Sequence, residues 1–291
     1  MSRPPADSRY SEEPFVRSIL CVTDFSQASL NAFSHALMMA MNLRCDLTLF
    51  HVERADQFGV DWAHRPLVRS ILEKWGYLEP GSPRSAVFSK VAVRVKKVEV
   101  VAENALRALL HHLKEDPADL VVLAVDDRRG VASWLRGSLP ERLIHQLRVM
   151  TLFVPADGRG FVSLDHGGFT LRRVLVPVAG HPDPKPAVTY AFRAAVFSSE
   201  ELVRMCLVHV GNGQEPPRVD VPERPYLVWE TIHRTGTVAD EILDAASATA
   251  ADLIVMTTRD SHGFLDALRG RVTDQIIHAA QCPVLAIPVR T

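Results

Sequence analysis

The chain carries the same pattern twice. Residues 118–127 read ADLVVLAVDD and residues 251–260 read ADLIVMTTRD, each an apolar run rich in Val, Ile and Leu that ends in polar residues. The match continues downstream at the same offset. Gly130 faces Gly263, Leu135-Arg136-Gly137 faces Leu268-Arg269-Gly270, Ile144-His145 faces Ile277-His278, and TLFVP (151–155) faces VLAIP (284–288). An internal repeat restricts the fold more than any single motif, because one supersecondary plan must serve both copies.

The halves also open alike. RSILCVTD (17–24) corresponds to RRVLVPVA (172–179), and each is followed by an Ala-rich segment expected to be a buried helix, 28–41 and 186–197. Second strands are expected at 46–52 and 204–210, and third strands at 91–101 and 226–233. Helices at 103–115 and 237–249 precede the fourth strands, with Thr237 as N-cap and Asp240 and Glu241 adding negative charge to the first turn. Short apolar strands alternating with helices imply a mainly parallel sheet buried on both faces, and right-handed crossovers leave few other topologies. The fold class is therefore α/β: two tandem Rossmann-like domains, each a mainly parallel five-stranded sheet with helices on both faces. The stretch ADGRGFVSLDHGGFT (156–170), with four glycines, suits a boundary. This places a disordered tail at 1–14, a first domain at 15–156, a linker at 157–170 and a second domain at 171–291. The longer segment 53–90 of the first half, with Trp62, Trp75 and several prolines, is expected to be a helical excursion covering the sheet or the opposite domain.

Length and composition agree. At 291 residues the chain suffices for two cores. A net charge of −1 without a long basic run argues against a broad nucleic-acid footprint. The four cysteines, Cys21, Cys45, Cys206 and Cys282, form no C-x-x-C pair and sit mostly in apolar runs, which points to buried free thiols in a reducing compartment. The polar, proline-rich start lacks a signal-peptide core, and no apolar run reaches the roughly 18–20 residues of a membrane span. The cytoplasm is the expected compartment, with no membrane partner.

Several of these pieces together resemble the universal stress protein family. The first strand ends in Val22-Thr23-Asp24-Phe25-Ser26, the second strands end in Phe50-His51-Val52 and Val208-His209-Val210, and the fourth strand of the second half reads Asp252 to Met256. The final strand opens with Cys282-Pro283-Val284-Leu285, and Gly263 to Gly270 reads GFLDALRG. The resemblance covers both halves. It implies a flavodoxin-like sheet of the adenine-nucleotide alpha hydrolase type, and pairing through last strands. In a tandem chain that gives an intramolecular pseudo-dimer of the two domains, with further association into a homodimer.

The nucleotide-binding branch of that family carries G-x-x-G, nine residues, then G-[ST] after the fourth strand. Glycines let backbone amides approach phosphate. In the first half Gly137-Ser138 fits the last pair, Gly130 is kept, and Asp127 and Ala124 stand where glycines would. By resemblance the first-half site comprises Thr23, Asp24, Phe25, Asp127, Gly130, Gly137, Ser138 and Leu139, and would hold ATP with Mg²⁺. In the second half Thr257 and Asp260 precede Gly270-Arg271, and Ala179 replaces the first-strand aspartate. There Gly263, Gly270 and Arg271 are what remains of the site. A carboxylate about 4 Å from a phosphate is unfavourable by roughly 4 kcal/mol at an effective dielectric near 20. Arg128, Arg129 and Arg136, and in the second half Arg259 and Arg271, stand near enough in sequence to pair with it or to bind phosphate.

There is no Walker A motif, no G-x-S-x-G elbow and no H-E-x-x-H, so no catalytic or metal site is assigned. His51 and His209 end equivalent strands and read as packing or hydrogen-bonding residues. His111 and His112 diverge on a helix and do not share a metal. Asp24 with Ser26 reads as a helix cap or nucleoside contact. His262 reads as a loop residue. Three functions stay open: a stress-response protein sensing an adenine nucleotide through its first domain, an interaction scaffold that binds an unknown protein partner and no nucleotide, and a slow ATPase.

Overall fold

The computed structural model describes residues 16–53, 68–126, 130–131, 148–196, 201–211, 215–259 and 266–289. Its centre is one continuous sheet in the order β3-β2-β1-β4-β6-β11-β10-β7-β8-β9. The first half supplies β1 (Ser18–Val22), β2 (Asp46–Glu53), β3 (Val95–Val101), β4 (Leu120–Asp126) and β6 (Met150–Pro155). The second supplies β7 (Arg173–Pro177), β8 (Val203–Val210), β9 (Leu227–Arg234), β10 (Leu253–Arg259) and β11 (Val284–Val289). Within each half every neighbour on this path is parallel. The halves meet where β6 and β11 run antiparallel, with Leu152 opposite Leu285 and Phe153 opposite Val284. The strand order on one side of this seam repeats in mirror sequence on the other, as the internal repeat requires.

Both faces of the sheet are covered. One layer gathers α1 (Gln27–Leu43), α2 (Val68–Lys74) and α5 (Lys185–Val196) around Leu47, Val122, Val176 and Val255. The other sets α4 (Ala105–Glu115), α6 (Val238–Ala248) and α7 (Asp266–Ala279) against Leu20, Val121, Phe153 and Ile254. This explains the unbroken apolar runs, since alternate residues of one strand feed opposite cores. Phe50 and Phe153 have no exposed surface to speak of. Burial of a side chain that size is worth about 1.5–3 kcal/mol.

Several expectations shift in detail. The third strand begins at Val95, because Ser85–Val91 forms α3 and Ala92 closes it in the left-handed region at φ 55°. Thr237 does occupy the N-cap of α6, but its side chain makes no capping hydrogen bond, so the acidic pair Asp240 and Glu241 carries that first turn. The segment after β2 does pack on the sheet. Val68, Ile71, Leu72, Trp75 and Leu78 enter the same core layer as α1; Trp62 lies outside the described residues.

The stretch between the halves is folded back as a small hairpin. Val162 bridges Phe169, and Ser163 N donates to Gly168 O at 2.9 Å. Trp75 Nε1 and Lys74 Nζ both donate to the Leu164 carbonyl, at 3.2 and 3.0 Å. Gly167 sits at φ +65° against the Trp75 ring, where a Cβ would collide with it. All four cysteines are free and buried. Burial pushes the thiols of Cys21, Cys45 and Cys282 up to about 12 and that of Cys206 to about 11.

Candidate functional site at the carboxyl edge

Open parallel sheets bind ligands beyond the carboxyl ends of their strands. At that edge β1 runs into α1 through Thr23-Asp24-Phe25-Ser26. The ladder extends one residue past β1, with Thr23 N donating to Phe50 O at 3.0 Å. The Thr23 hydroxyl then donates to Ser29 Oγ at 3.1 Å, and Ser29 Oγ donates to the Ser26 carbonyl at 2.9 Å. Asp24 Oδ1 accepts from Ser26 N at 3.0 Å and from Ser26 Oγ at 2.6 Å. Ser26 in turn is the N-cap of α1, its Oγ accepting from Ser29 N at 3.3 Å. Asp24 thus orients the residue that caps the helix, which is the local role the sequence suggested for the Asp24–Ser26 pair.

Phe25 is held in the left-handed region at φ 58°, an uncommon conformation for a bulky residue. Its N–H donates to Thr23 Oγ1 at 3.0 Å and its ring lies 4.9 Å from that of His51. A backbone constrained this way costs on the order of 1–3 kcal/mol, and such costs gather at ligand sites.

His51 Nδ1 lies 2.8 Å from the Thr23 carbonyl oxygen, and His209 Nδ1 lies 3.0 Å from that of Val178. A carbonyl only accepts, so both rings carry their proton on Nδ1. The two histidines are the same structural device in the two halves: the end of the second strand fastens the end of the first. Val178 N likewise donates to Val208 O at 2.9 Å, as Thr23 N does to Phe50 O. What differs is the chemistry laid on this frame. The first half presents two hydroxyls and a carboxylate at the turn, and the second continues with Ala179 and Gly180.

The structure brings Thr23, Asp24 and Phe25 together. Gly130 lies in a two-residue return strand, β5 (Gly130–Val131), which pairs antiparallel with the end of β4 and sets Gly130 opposite Asp126. Asp127, Gly137, Ser138 and Leu139 lie outside the described residues, as do Arg128, Arg129, Arg136, Asp260, His262 and Gly263. Gly270 and Arg271 fall within α7, which begins at Asp266, so their backbone is helical. His111 pairs with Glu115 at 3.4 Å, while His112 stacks on Phe50 with ring centroids 5.1 Å apart. No cluster of three or more metal-ligating side chains occurs among the described residues.

One buried cluster escaped the sequence reading. His35 on α1 is fully buried, with Nδ1 2.9 Å from the Asn31 carbonyl and Nε2 accepting from Phe161 N at 3.2 Å. Asn31 Nδ2 donates to Pro155 O at 2.8 Å. Burial drives the His35 pKa down to about 4, opposed by the Asn31 carbonyl. Nothing in a single mid-helix histidine signals that it anchors a loop 126 residues away.

Comparison with known proteins bears on this frame directly. The sequence model of the universal stress protein family matches residues 16–155 and 219–288. A universal stress protein of Mycobacterium tuberculosis is 23% identical over 267 residues, covering 82% of this chain and 86% of that one, and one of Mycobacterium bovis matches to the same extent. Among solved structures, a universal stress protein from Archaeoglobus fulgidus superposes with a TM-score of 0.61 at 15% identity, covering 94% of this chain and 96% of the other. A functionally unknown protein from Pseudomonas aeruginosa gives a TM-score of 0.57 at 12% identity, with 96% and 95% covered. The unmatched stretch before residue 219 holds β7, α5 and β8, which occupy in the second half the places of β1, α1 and β2 in the first. With the matched regions spanning most of the chain and the fold repeated around one seam, this chain belongs to the universal stress protein family.

Proposed function

We propose that the protein is a regulatory binding protein that senses an adenine nucleotide at the carboxyl edge of its first domain, residues 15–156, while the second domain, 171–291, serves as a structural partner across the β6–β11 seam. The two domains form an intramolecular pseudo-dimer, joined by the linker 157–170. The observation that carries this reading is the difference between two equivalent turns. His51 and His209 build the same frame, yet only the first turn offers Thr23, Asp24 and a strained Phe25.

The described part of the first site fits a nucleoside. A carboxylate accepts from ribose hydroxyls, and the constrained Phe25 backbone and ring border the same turn. Gly137 and Ser138 would meet the phosphates, with Mg²⁺ offsetting their charge. The second half fits poorly. Gly270 and Arg271 lie inside a helix, where the backbone N–H groups are turned to the preceding carbonyls, and Ala179 removes the carboxylate.

Calorimetric titration with ATP and Mg²⁺ tests the reading, with AMP alongside. Binding of one nucleotide per chain, weakened at least tenfold in Gly137→Glu and in Asp24→Ala, is expected. Absence of heat and of thermal shift up to millimolar nucleotide would overturn it. The scaffold reading would then stand, favoured by Asp127, Asp260 and Arg271 at positions where phosphate contacts need glycine or a small polar residue, and by Ala179 where the first-strand carboxylate would be.

A further inference from the structure

At the carboxyl edge of the second half, β8 and β9 set His209 directly opposite His233. Register partners on neighbouring parallel strands point to the same face, so the two imidazoles stand side by side. Their ring centroids are 6.5 Å apart, and the rings cross at 77°. His209 is 5% exposed. Its Nδ1–H is given to the Val178 carbonyl on the β7 side. That leaves Nε2 as a bare acceptor, directed away from β7. This nitrogen is buried and has no hydrogen-bond partner among the described residues, a state that native folds seldom leave without a purpose. Gly211 keeps the space beside it clear, since a Cβ there would stand 2.6 Å from Nε2. His233 is exposed, so its ring can turn. The first half lacks the pair: His51 is set opposite Glu99, and its ring packs on Phe25 at 4.9 Å.

We propose that His209 and His233 form an open two-imidazole site for a late first-row divalent cation, Zn²⁺ or Cu²⁺. With a metal–nitrogen bond of about 2.0–2.1 Å and the ring centre about 1.2 Å behind the nitrogen, one ion holds two ring centroids about 5.2 Å apart at a tetrahedral angle and about 6.4 Å apart when linear. The observed 6.5 Å lies at the wide end of that range, and a small turn of the exposed His233 ring closes it. The bond from His209 Nδ1 to a backbone carbonyl is the support that fixes tautomer and orientation in metal-ligating histidines. Imidazole selects zinc, copper and nickel over magnesium and calcium, which take oxygen ligands. No third metal-ligating side chain joins the pair among the described residues, so water completes the shell and the ion exchanges readily. A ligand donating one hydrogen bond would satisfy Nε2 and leave His233 unused, whereas a cation draws on both rings.

The test is calorimetry on the untagged full chain with Zn²⁺, Cu²⁺ and Mg²⁺, in the absence of nucleotide. Saturable binding of one Zn²⁺ or Cu²⁺ per chain is expected at micromolar concentration, with Mg²⁺ at least a hundredfold weaker. His233→Gln, on an exposed side chain, should weaken binding at least tenfold while the fold stays intact. Gly211→Ala, which sets a methyl group against Nε2, should weaken it comparably. The helix-surface variants His111→Gln and His278→Gln should leave it unchanged. The electron paramagnetic resonance spectrum of the Cu²⁺ form should show two coordinated imidazole nitrogens, and one in His233→Gln. Absence of saturable binding, affinity unchanged in His233→Gln, equal affinity for Mg²⁺, or a copper spectrum that His233→Gln does not alter overturns the proposal.

Discussion

The carboxylate of Asp252 lies 2.9 Å from the backbone nitrogen of Arg173, so the residue just before β10 also fastens the start of β7. The same oxygen accepts from Arg172 N at 2.9 Å. In the first half Asp119 does the same for Arg17 N at 2.7 Å and Ser18 N at 3.1 Å. Asp252 is buried and Asp119 is exposed, so the two equivalent contacts differ in worth. Asp252→Ala strands two backbone donors and should cost about 2–3 kcal/mol, whereas Asp119→Ala, with water to replace it, should cost about 1 kcal/mol. Urea denaturation of both variants checks the order; equal losses would contradict it.

His35 should make the fold acid-sensitive above the carboxylate range. Its Nδ1–H is given to Asn31 and its Nε2 lone pair is taken by Phe161 N–H, so the buried ring is neutral. The unfolded chain takes up the proton near pH 6.5, and the folded chain only near 4. The unfolded state therefore binds more protons in this window, and stability falls as pH drops from 6.5 to 4. At about 1.36 kcal/mol per unit the loss reaches about 3 kcal/mol. Denaturation curves at pH 7, 5.5 and 4.5 should show it, and His35→Gln should flatten that slope. An unchanged slope in the variant would place the sensitivity elsewhere.

Gly167→Ala tests the docking of the hairpin. The position combines φ +65° with the Trp75 ring where a Cβ would stand. A loss of about 2 kcal/mol or more is expected, with faster protease cleavage within 157–170. Trp75→Ala should release the same segment. Cleavage as slow as in the parent chain would show that the hairpin is held by other contacts.

The thiols should be inert in the folded protein. All four are buried with raised pKa values, so little thiolate exists near neutral pH. A disulfide reagent should modify none within the time that four react in denaturant. Rapid reaction of one native thiol would show that reagent reaches it without unfolding.

The sequence could reveal the strands and their alternation with helices because β4 and β10 are apolar on both faces, and the repeat tied each strand to a twin. It could also reveal the His51 and His209 pair, since both end the same element of the repeat. The hairpin at 161–169 was not legible. Its polar, glycine-rich composition reads as a loose connection, and its order comes from Trp75 and His35, which are distant in sequence. The return strand at Gly130–Val131 was hidden for a similar reason: two residues hold no periodicity. Thr237 had the right residue type for a cap, yet side-chain geometry left the hydroxyl without its backbone partner.

The antiparallel register of β6 against β11 lies within one covalent chain. Its association is therefore unimolecular and does not weaken on dilution. A dimer of identical subunits must present two identical ligand sites and must change both with every substitution. A fused pair is free of that symmetry: Asp24 and Ala179 can differ while the seam that joins their domains stays the same. The ratio of the two unlike turns is fixed at one to one by the peptide bond, whatever the concentration of the protein.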